Sequence, residues 1–140
     1  KVPCDGGLHR AELYNTKKRN YPICSCMKTS SRVKSSKAKA RVLQNWVRDQ
    51  LKSRLDLTDD DVKCALMGEG GSDVKLTSEK SRKSFPFDIE CKNAESVNVW
   101  RAYEQASGHG DLEPLLILKK NGKKPLVVMD ANFFLDKFYD

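Results

Sequence analysis

Apolar residues within positions 37–55 recur at steps of three and four residues. They are Leu43, Trp46, Val47, Leu51 and Leu55. This spacing places all five on one stripe of an amphipathic helix. Ser35 or Ser36, just before the pattern, is a good residue to cap its amino end. The pattern therefore predicts a first helix over residues 37–55 with one buried face.

Beyond this helix the apolar positions follow strand patterns. Alternating or continuous apolar runs predict strands over residues 62–67, 72–76, 85–92, 114–119 and 125–129. Helical patterns predict helices over residues 97–107 and 131–138, the latter capped by Asp130. The basic stretch 78–84 is predicted to be a loop. The order helix, three strands, helix, two strands, helix predicts an α/β fold, with a mixed central sheet flanked by helices.

The amino-terminal part of the chain has a different pattern. Residues 1–35 show neither helical nor strand periodicity, and residues 28–37 have the polar composition of a linker. We expect a short basic appendage with its linker over residues 1–36 and one folded domain over residues 37–140. No apolar run approaches the roughly 20 residues of a membrane span, and the first ten residues lack the apolar stretch of a signal peptide. The sequence therefore predicts no membrane partner.

Charge is unevenly distributed along the 140 residues, whose formal net charge is +7. Residues 1–55 hold 14 Lys and Arg against three Asp and Glu, whereas residues 56–140 hold 12 against 16. A basic segment attracts a polyanion, and counterion release from nucleic acid is the usual source of such affinity. A solubilising basic tail is the alternative. The excess of carboxylates in the second part is unusual for a simple nucleic-acid binder and indicates acidic residues with a chemical role.

The appendage contains four soft metal ligands, namely Cys4, His9, Cys24 and Cys26. Tetrahedral Zn²⁺ takes such a Cys₃His set, and a short segment without a core gains stability from it. The spacing differs from the Cys-x₂-Cys of common ribbons and fingers, so free thiols in a basic arm are the alternative. The chain has five cysteines. Because an odd number argues against a disulfide framework, we expect a reducing, cytoplasmic location.

Residues 70–92 carry the pattern most relevant to chemistry. Asp73 opens one predicted strand, and Glu90 and Lys92 share a face of the next. On adjacent strands the two carboxylates and the backbone carbonyl of Cys91 would form an all-oxygen set that suits Mg²⁺ or Mn²⁺. Lys92 would lie beside the ion to hold a water or neutralise a phosphate, as metal-assisted phosphodiester hydrolysis requires. The alternative is a solvated strand face with a cross-strand pair between Lys and a carboxylate.

These motifs resemble the PD-(D/E)XK nuclease superfamily, and within it the small phage-type and Holliday-junction-resolvase-like endonucleases. The resemblance covers residues 37–138 and rests on the segments Ser72-Asp-Val-Lys-Leu76, Ile89-Glu-Cys-Lys-Asn93 and Trp100-Arg-Ala-Tyr-Glu-Gln-Ala106. It implies a restriction-endonuclease-like αβββαβ core. It also implies Asp73 and Glu90 as metal ligands, Lys92 as the catalytic lysine, and Gln105 as the helix glutamine that many members place beside the site.

One position departs from the family pattern. Many relatives carry a Glu in the first helix as an additional metal ligand, and the matching residue here is Gln44, which supplies no negative charge. Glu69, four residues before Asp73, is a second candidate for the missing carboxylate. The alternative role for Glu69 is that of a turn residue beside Gly70 and Gly71. Whether the site holds one metal ion or two is left open.

The resemblance implies a Mg²⁺- or Mn²⁺-dependent endodeoxyribonuclease that hydrolyses DNA phosphodiester bonds, with branched or junction DNA among the substrates to consider. If the chain is phage-encoded, its location is the host cytoplasm. The alternative function is a catalytically weakened nuclease fold that binds DNA, consistent with Gln44. Symmetric cutting of both strands would require a homodimer. The apolar stripe of the first helix would serve either that dimer or packing on the sheet.

Two tryptophans, one histidine and four lysines are weaker candidates for the site. Trp46 and Trp100 lie at helical spacing and are predicted to be core residues rather than platforms for bases. His109 lies in a Gly-rich loop with no evident partner, so we expect no catalytic role for it. Four lysines flank a predicted hairpin turn and are either solvated or in contact with phosphates: Lys119, Lys120, Lys123 and Lys124.

Overall fold

A computed structural model describes residues 35–139 of the chain. The appendage predicted over residues 1–36 lies outside them except for its last two residues, and so do Cys4, His9, Cys24 and Cys26. The helices and strands of the described part are α1 (Ser36–Leu55), β1 (Val62–Cys64), β2 (Val74–Leu76), α2 (Glu79–Ser84), β3 (Phe87–Asn93), α3 (Val99–Ser107), β4 (Glu113–Lys119), β5 (Leu126–Val128) and α4 (Ala131–Tyr139).

The strands form a single five-stranded sheet in the order β1-β2-β3-β4-β5. β3 and β4 run parallel, and the remaining neighbours run antiparallel. Parallel neighbours need a crossover connection, which α3 supplies. The predicted α/β class, a mixed sheet flanked by helices, is confirmed. Among the helices of residues 35–139 there is no candidate for a bilayer-spanning segment.

α1 packs on the sheet through the predicted apolar stripe. Ser35 caps the helix, since its hydroxyl oxygen accepts a hydrogen bond from the Ala38 N–H. The buried residues of the stripe are Leu43, Val47 and Leu51. Trp46 and Leu55 are partly buried against the same hydrophobic cluster, which confirms the core role of Trp46. The stripe is therefore used within the domain.

The two faces of β3 have different neighbours. One face joins the hydrophobic cluster with α1 and carries Phe87, Ile89 and Cys91. Because side chains alternate along a strand, the opposite face carries Asp88, Glu90 and Lys92. α3 packs over that opposite face of β3 and β4 and buries Ala102 and Ala106. The central strand thus separates a hydrophobic layer from a polar one.

The predicted loop at 78–84 is wrong, because these residues contain the short helix α2. Its start is a capping box: the Ser78 hydroxyl accepts from the Ser81 N–H at 3.1 Å, and the Ser81 hydroxyl accepts from the Ser78 N–H at 3.3 Å. The helix has no apolar periodicity, which is why the pattern did not reveal it.

Two further predictions need correction. The strand predicted over 62–67 ends at Cys64, and the chain turns at Leu66, whose carbonyl accepts from the Glu69 N–H at 3.1 Å. Trp100 is not in the core but 81% exposed, because the inner face of α3 is occupied by small alanines.

Candidate active site

Asp73 lies immediately before β2, at the seam between β2 and β3. Its N–H donates to the Ile89 carbonyl at 2.8 Å, and its carbonyl accepts from the Ala65 N–H at 2.9 Å. Carboxylate oxygen Oδ2 accepts a hydrogen bond from the Cys91 N–H at 2.8 Å. The side chain of Gln44, from α1, lies near this carboxylate and favours its charged form. Asp73 is therefore held by the sheet and by the helix packed on it.

Gln44 itself is oriented by a neighbour on α1. The Arg41 guanidinium donates to Gln44 Oε1 at 3.2 Å and to the Ala65 carbonyl at 2.7 Å. With its oxygen accepting from Arg41, the Gln44 amide nitrogen is available as a donor near Asp73. Position 44 thus carries a neutral amide group rather than a carboxylate.

The pKa of the Asp73 carboxyl is raised above its ordinary value, chiefly by burial. The hydrogen bond from the Cys91 N–H opposes that rise, and the negative charge of Glu90 adds to it. The two carboxylates are close enough for the charge of Glu90 to contribute to the raised pKa of Asp73. Such a pair is an attractive environment for a cation.

Glu90 is a buried charge on the α3 side of β3, with 2% of its surface exposed. Its Oε1 lies 2.5 Å from the Lys92 ammonium nitrogen, and its Oε2 lies 2.6 Å from His109 Nε2. Lys92 also donates to Gln105 Oε1 at 2.9 Å. The carboxylate is therefore paired at both oxygens, as a buried charge requires.

The contact with Glu90 corrects the prediction that His109 has no partner. The loop that follows α3 brings the imidazole back over β3, where only 10% of it is exposed. Nothing in the local sequence identifies this contact, because it depends on the path of the loop. Gly110, directly after His109, was the available signal that the loop approaches another segment closely.

Asp88 fixes that loop against β3. Its Oδ2 accepts a hydrogen bond from the Leu112 N–H at 3.0 Å, and its Oδ1 accepts from the Ser72 hydroxyl at 3.0 Å. A Cβ on Gly110 would lie 2.8 Å from Asp88 Oδ2, closer than real side chains approach. A larger residue at 110 would push the Asp88 carboxylate away from the hydrogen bonds that anchor the loop, and this anchored loop carries His109 to Glu90.

Five residues predicted for the site are brought into one connected group with His109: Gln44, Asp73, Glu90, Lys92 and Gln105. Cys91 contributes its backbone N–H to this group, while its thiol lies in the core. Burial holds the pKa of that thiol well above its ordinary value.

Glu69 makes its contacts elsewhere. Its Oε2 accepts from the Leu66 N–H at 2.8 Å, and its Oε1 pairs with the Lys75 ammonium. The pKa of the Glu69 carboxyl is lowered, first by that hydrogen bond from Lys75. These contacts favour the alternative role of Glu69 as a turn residue.

The donor set fits a hard divalent cation better than a soft one. Across residues 35–139, no three His, Cys, Asp or Glu side chains form a group able to hold a metal ion. A cation here would use the carboxylates of Asp73 and Glu90 and complete its shell with backbone oxygen and water, as Mg²⁺ commonly does. Lys92, with 32% of its side chain exposed and Gln105 as a second acceptor, is displaced from Glu90 more easily than His109.

The chain matches no protein-family model, no curated protein and no solved structure. Its function must therefore be inferred from the chemistry of the site, because an α/β fold alone supports many activities. That chemistry is a pair of interacting carboxylates, one of them buried, with an ammonium group and an imidazole bound to the buried one.

Proposed function

We propose that the chain is a Mg²⁺- or Mn²⁺-dependent endodeoxyribonuclease of the PD-(D/E)XK type. The observation that carries the proposal is geometric: the Asp73 carboxylate accepts from the N–H of Cys91, the residue next to Glu90, at 2.8 Å, and the Lys92 ammonium lies 2.5 Å from the Glu90 carboxylate. The element order gives further support, since a helix, three strands, a helix and a strand follow one another with only the short α2 inserted.

In this proposal Asp73 and Glu90 would hold the cation through their carboxylate oxygens, and the Cys91 carbonyl would be a further ligand. When bound, the ion polarises the phosphoryl group and makes a coordinated water more acidic. Lys92 leaves Glu90 and neutralises charge that develops on the phosphate. Gln105 keeps a hydrogen bond to Lys92 and so directs the ammonium group.

Gln44 and His109 act as positioning residues in the proposed mechanism. Gln44 lies near Asp73 and favours its charged form, and His109 donates to Glu90 Oε2, which leaves Glu90 Oε1 for the cation once Lys92 has moved away. Hydrogen bonds of this kind orient metal ligands and commonly tune affinity.

A DNA-binding protein with a weakened nuclease site is the second candidate. Gln44 in place of an acidic residue favours it, because the site then holds two carboxylates rather than three. The distinction is one of activity, so it is decided by assaying cleavage.

The test is incubation of pure protein with supercoiled, branched and single-stranded DNA in Mg²⁺, in Mn²⁺ and in excess EDTA. We expect cleavage with either metal and none in EDTA. Lys92→Ala should reduce the rate about 10²–10³-fold, as loss of a transition-state contact does. Lys63→Ala on β1, whose partner is the exposed Asp60, is the matched control and should cleave normally. Cleavage in EDTA would contradict the metal mechanism, and no product on any substrate would favour the binding protein.

A further inference from the structure

Trp100 lies on the outer face of α3 with 81% of its surface exposed. The helix buries Ala102 and Ala106 against the sheet, which leaves Trp100 and Arg101 on the solvent side. An indole is among the largest apolar groups a protein can bury, and its burial normally stabilises a fold. Packing within the domain therefore does not account for Trp100.

The same helix reaches the candidate site. Arg101 and Gln105 are both exposed and lie one turn apart, so their side chains are neighbours on the helix surface. Gln105 in turn accepts the hydrogen bond from Lys92. The outer surface of α3 thus continues from the catalytic lysine of the proposed mechanism towards Arg101 and Trp100.

The hairpin between β4 and β5 lies near the amino end of α3, the end that carries Trp100. The Lys119 carbonyl accepts from the Ala94 N–H at 3.0 Å, and the Asn121 N–H donates to Glu95 Oε1 at 3.1 Å. Both contacts tie the hairpin to the segment that leads into α3. The exposed lysines of the hairpin are Lys120, Lys123 and Lys124.

One acidic side chain shares the outer face of α3 with the indole, since Glu104 is exposed one turn after Trp100. The carboxylate of Glu95 is engaged by the Asn121 N–H. The three hairpin lysines and Arg101 outnumber these two acids. The surface is thus basic overall and carries one exposed aromatic ring.

We propose that this surface, formed by Trp100, Arg101 and the three exposed hairpin lysines, binds an unpaired strand of DNA beside the cleaved bond. The inference rests on the proposed function in taking DNA as the substrate. Aromatic rings stack on the bases of single strands while basic side chains neutralise their phosphates. Bases in an intact duplex stack on one another, so Trp100 meets one only where pairing is broken. The substrate class is therefore single-stranded, gapped or branched DNA.

Tryptophan fluorescence tests the contact directly. The chain has two tryptophans, so Trp46→Phe leaves Trp100 as its single indole. In EDTA, which blocks the proposed hydrolysis, this variant is titrated with an oligo-dT strand, an oligo-rU strand and a duplex of equal length. Anisotropy of labelled nucleic acid reports binding in parallel. We expect oligo-dT to quench the Trp100 emission and the duplex to leave it nearly unchanged.

Substitutions in the otherwise unaltered chain separate stacking from apolar contact. Trp100→Ala and Trp100→Leu should each weaken oligo-dT binding at least about five-fold, while Trp100→Phe stays within about three-fold of wild type, as loss and retention of one stacked base predict. Duplex binding should be unaffected in all three. Because Trp100 is exposed, circular dichroism should show an unchanged fold.

Binding of oligo-dT without quenching, or an equal loss of single-strand and duplex binding in Trp100→Ala, would overturn the inference. Stronger quenching by oligo-rU than by oligo-dT would also overturn it and assign the surface to RNA. The result is separable from the proposed enzyme activity. Metal-dependent cleavage without quenching would refute the single-strand surface and leave the proposed nuclease intact. Quenching without cleavage of any DNA would refute the nuclease and support the surface.

Discussion

The two faces of β3 bury side chains to a similar degree, but one buries an apolar side chain and the other buries a charged one. On the α1 face Ile89 is 0% exposed within a hydrophobic cluster, and on the α3 face Glu90 is 2% exposed between Lys92 and His109. Burial of apolar surface stabilises a fold by roughly 25 cal/mol per Å². Burial of a charge costs free energy unless partners compensate it. The comparison indicates that burial on the α1 face stabilises the domain, whereas burial of Glu90 on the α3 face depends on compensation by Lys92 and His109.

Truncation on the hydrophobic face should give the largest change in stability. Ile89→Ala is expected to lower the free energy of unfolding by about 2–5 kcal/mol, because it leaves a cavity in the centre of the core. Urea denaturation measures this loss. A loss below about 1 kcal/mol would show that this face does not stabilise the domain as described.

Neutralising the buried charge on the other face should affect activity rather than folding. Glu90→Gln keeps the side-chain volume but removes a proposed metal ligand, so the cleavage rate should fall about 10²–10³-fold. The control is Glu79→Gln on α2, where the carboxylate is exposed and paired with Lys83. Cleavage at the wild-type rate in the Glu90 variant would show that the buried carboxylate is not needed for activity.

The proposed role of His109 in positioning Glu90 predicts a smaller effect, on metal binding. His109→Ala should weaken Mn²⁺ affinity about 10–100-fold, the usual range for residues that orient a ligand. His109→Gln, whose amide can still donate to Glu90, should retain most of the affinity. Electron paramagnetic resonance of unbound Mn²⁺ provides the readout. Unchanged Mn²⁺ affinity in the alanine variant would show that His109 packs against Glu90 without orienting it for metal binding.

The smallest effect concerns the pH dependence of stability without metal. Because burial raises the pKa of Asp73, the folded state binds its proton more tightly than the unfolded state. Stability contributed by the protonated acid is lost as pH rises through the pKa of the folded state, and the cost of the charged form persists at neutral pH. Asp73→Asn removes that cost, so its melting temperature at pH 7 should equal or exceed that of wild type.

Low pH and added Mg²⁺ provide two further tests of this prediction. Below about pH 4 both proteins carry a neutral group at position 73, so the difference should disappear. Added Mg²⁺ should stabilise only wild type, because a ligand that binds the folded state raises its stability. A variant that is less stable than wild type at pH 7 without metal would contradict the account of Asp73.

The parts of the fold with strong periodicity could be predicted from sequence. The stripe of α1 and the apolar runs of β3 and β4 have spacings that few other structures allow. α2 could not be found this way, because hydrogen bonds between Ser78 and Ser81 define its start. Trp100 was misplaced because helical spacing cannot tell which face turns inward when Ala102 and Ala106 fill the contact.

In the candidate site, too, some residues could be placed from local pattern and others could not. Glu90 and Lys92 could be placed together because alternation along a strand fixes their shared face. His109 could not be placed, since its contact with Glu90 depends on the path of a loop that Asp88 anchors. Contacts of this kind are set by packing between distant segments rather than by local pattern.

The central claim is that Asp73 and Glu90 bind a divalent cation together. Isothermal titration of metal-free protein with Mn²⁺ tests it most directly, with wild type compared against the double variant Asp73→Asn/Glu90→Gln. We expect heat of binding in wild type and its loss in the double variant, with circular dichroism unchanged between the two. Mn²⁺ binding that is equal in both proteins, or absent from both, would contradict the claim.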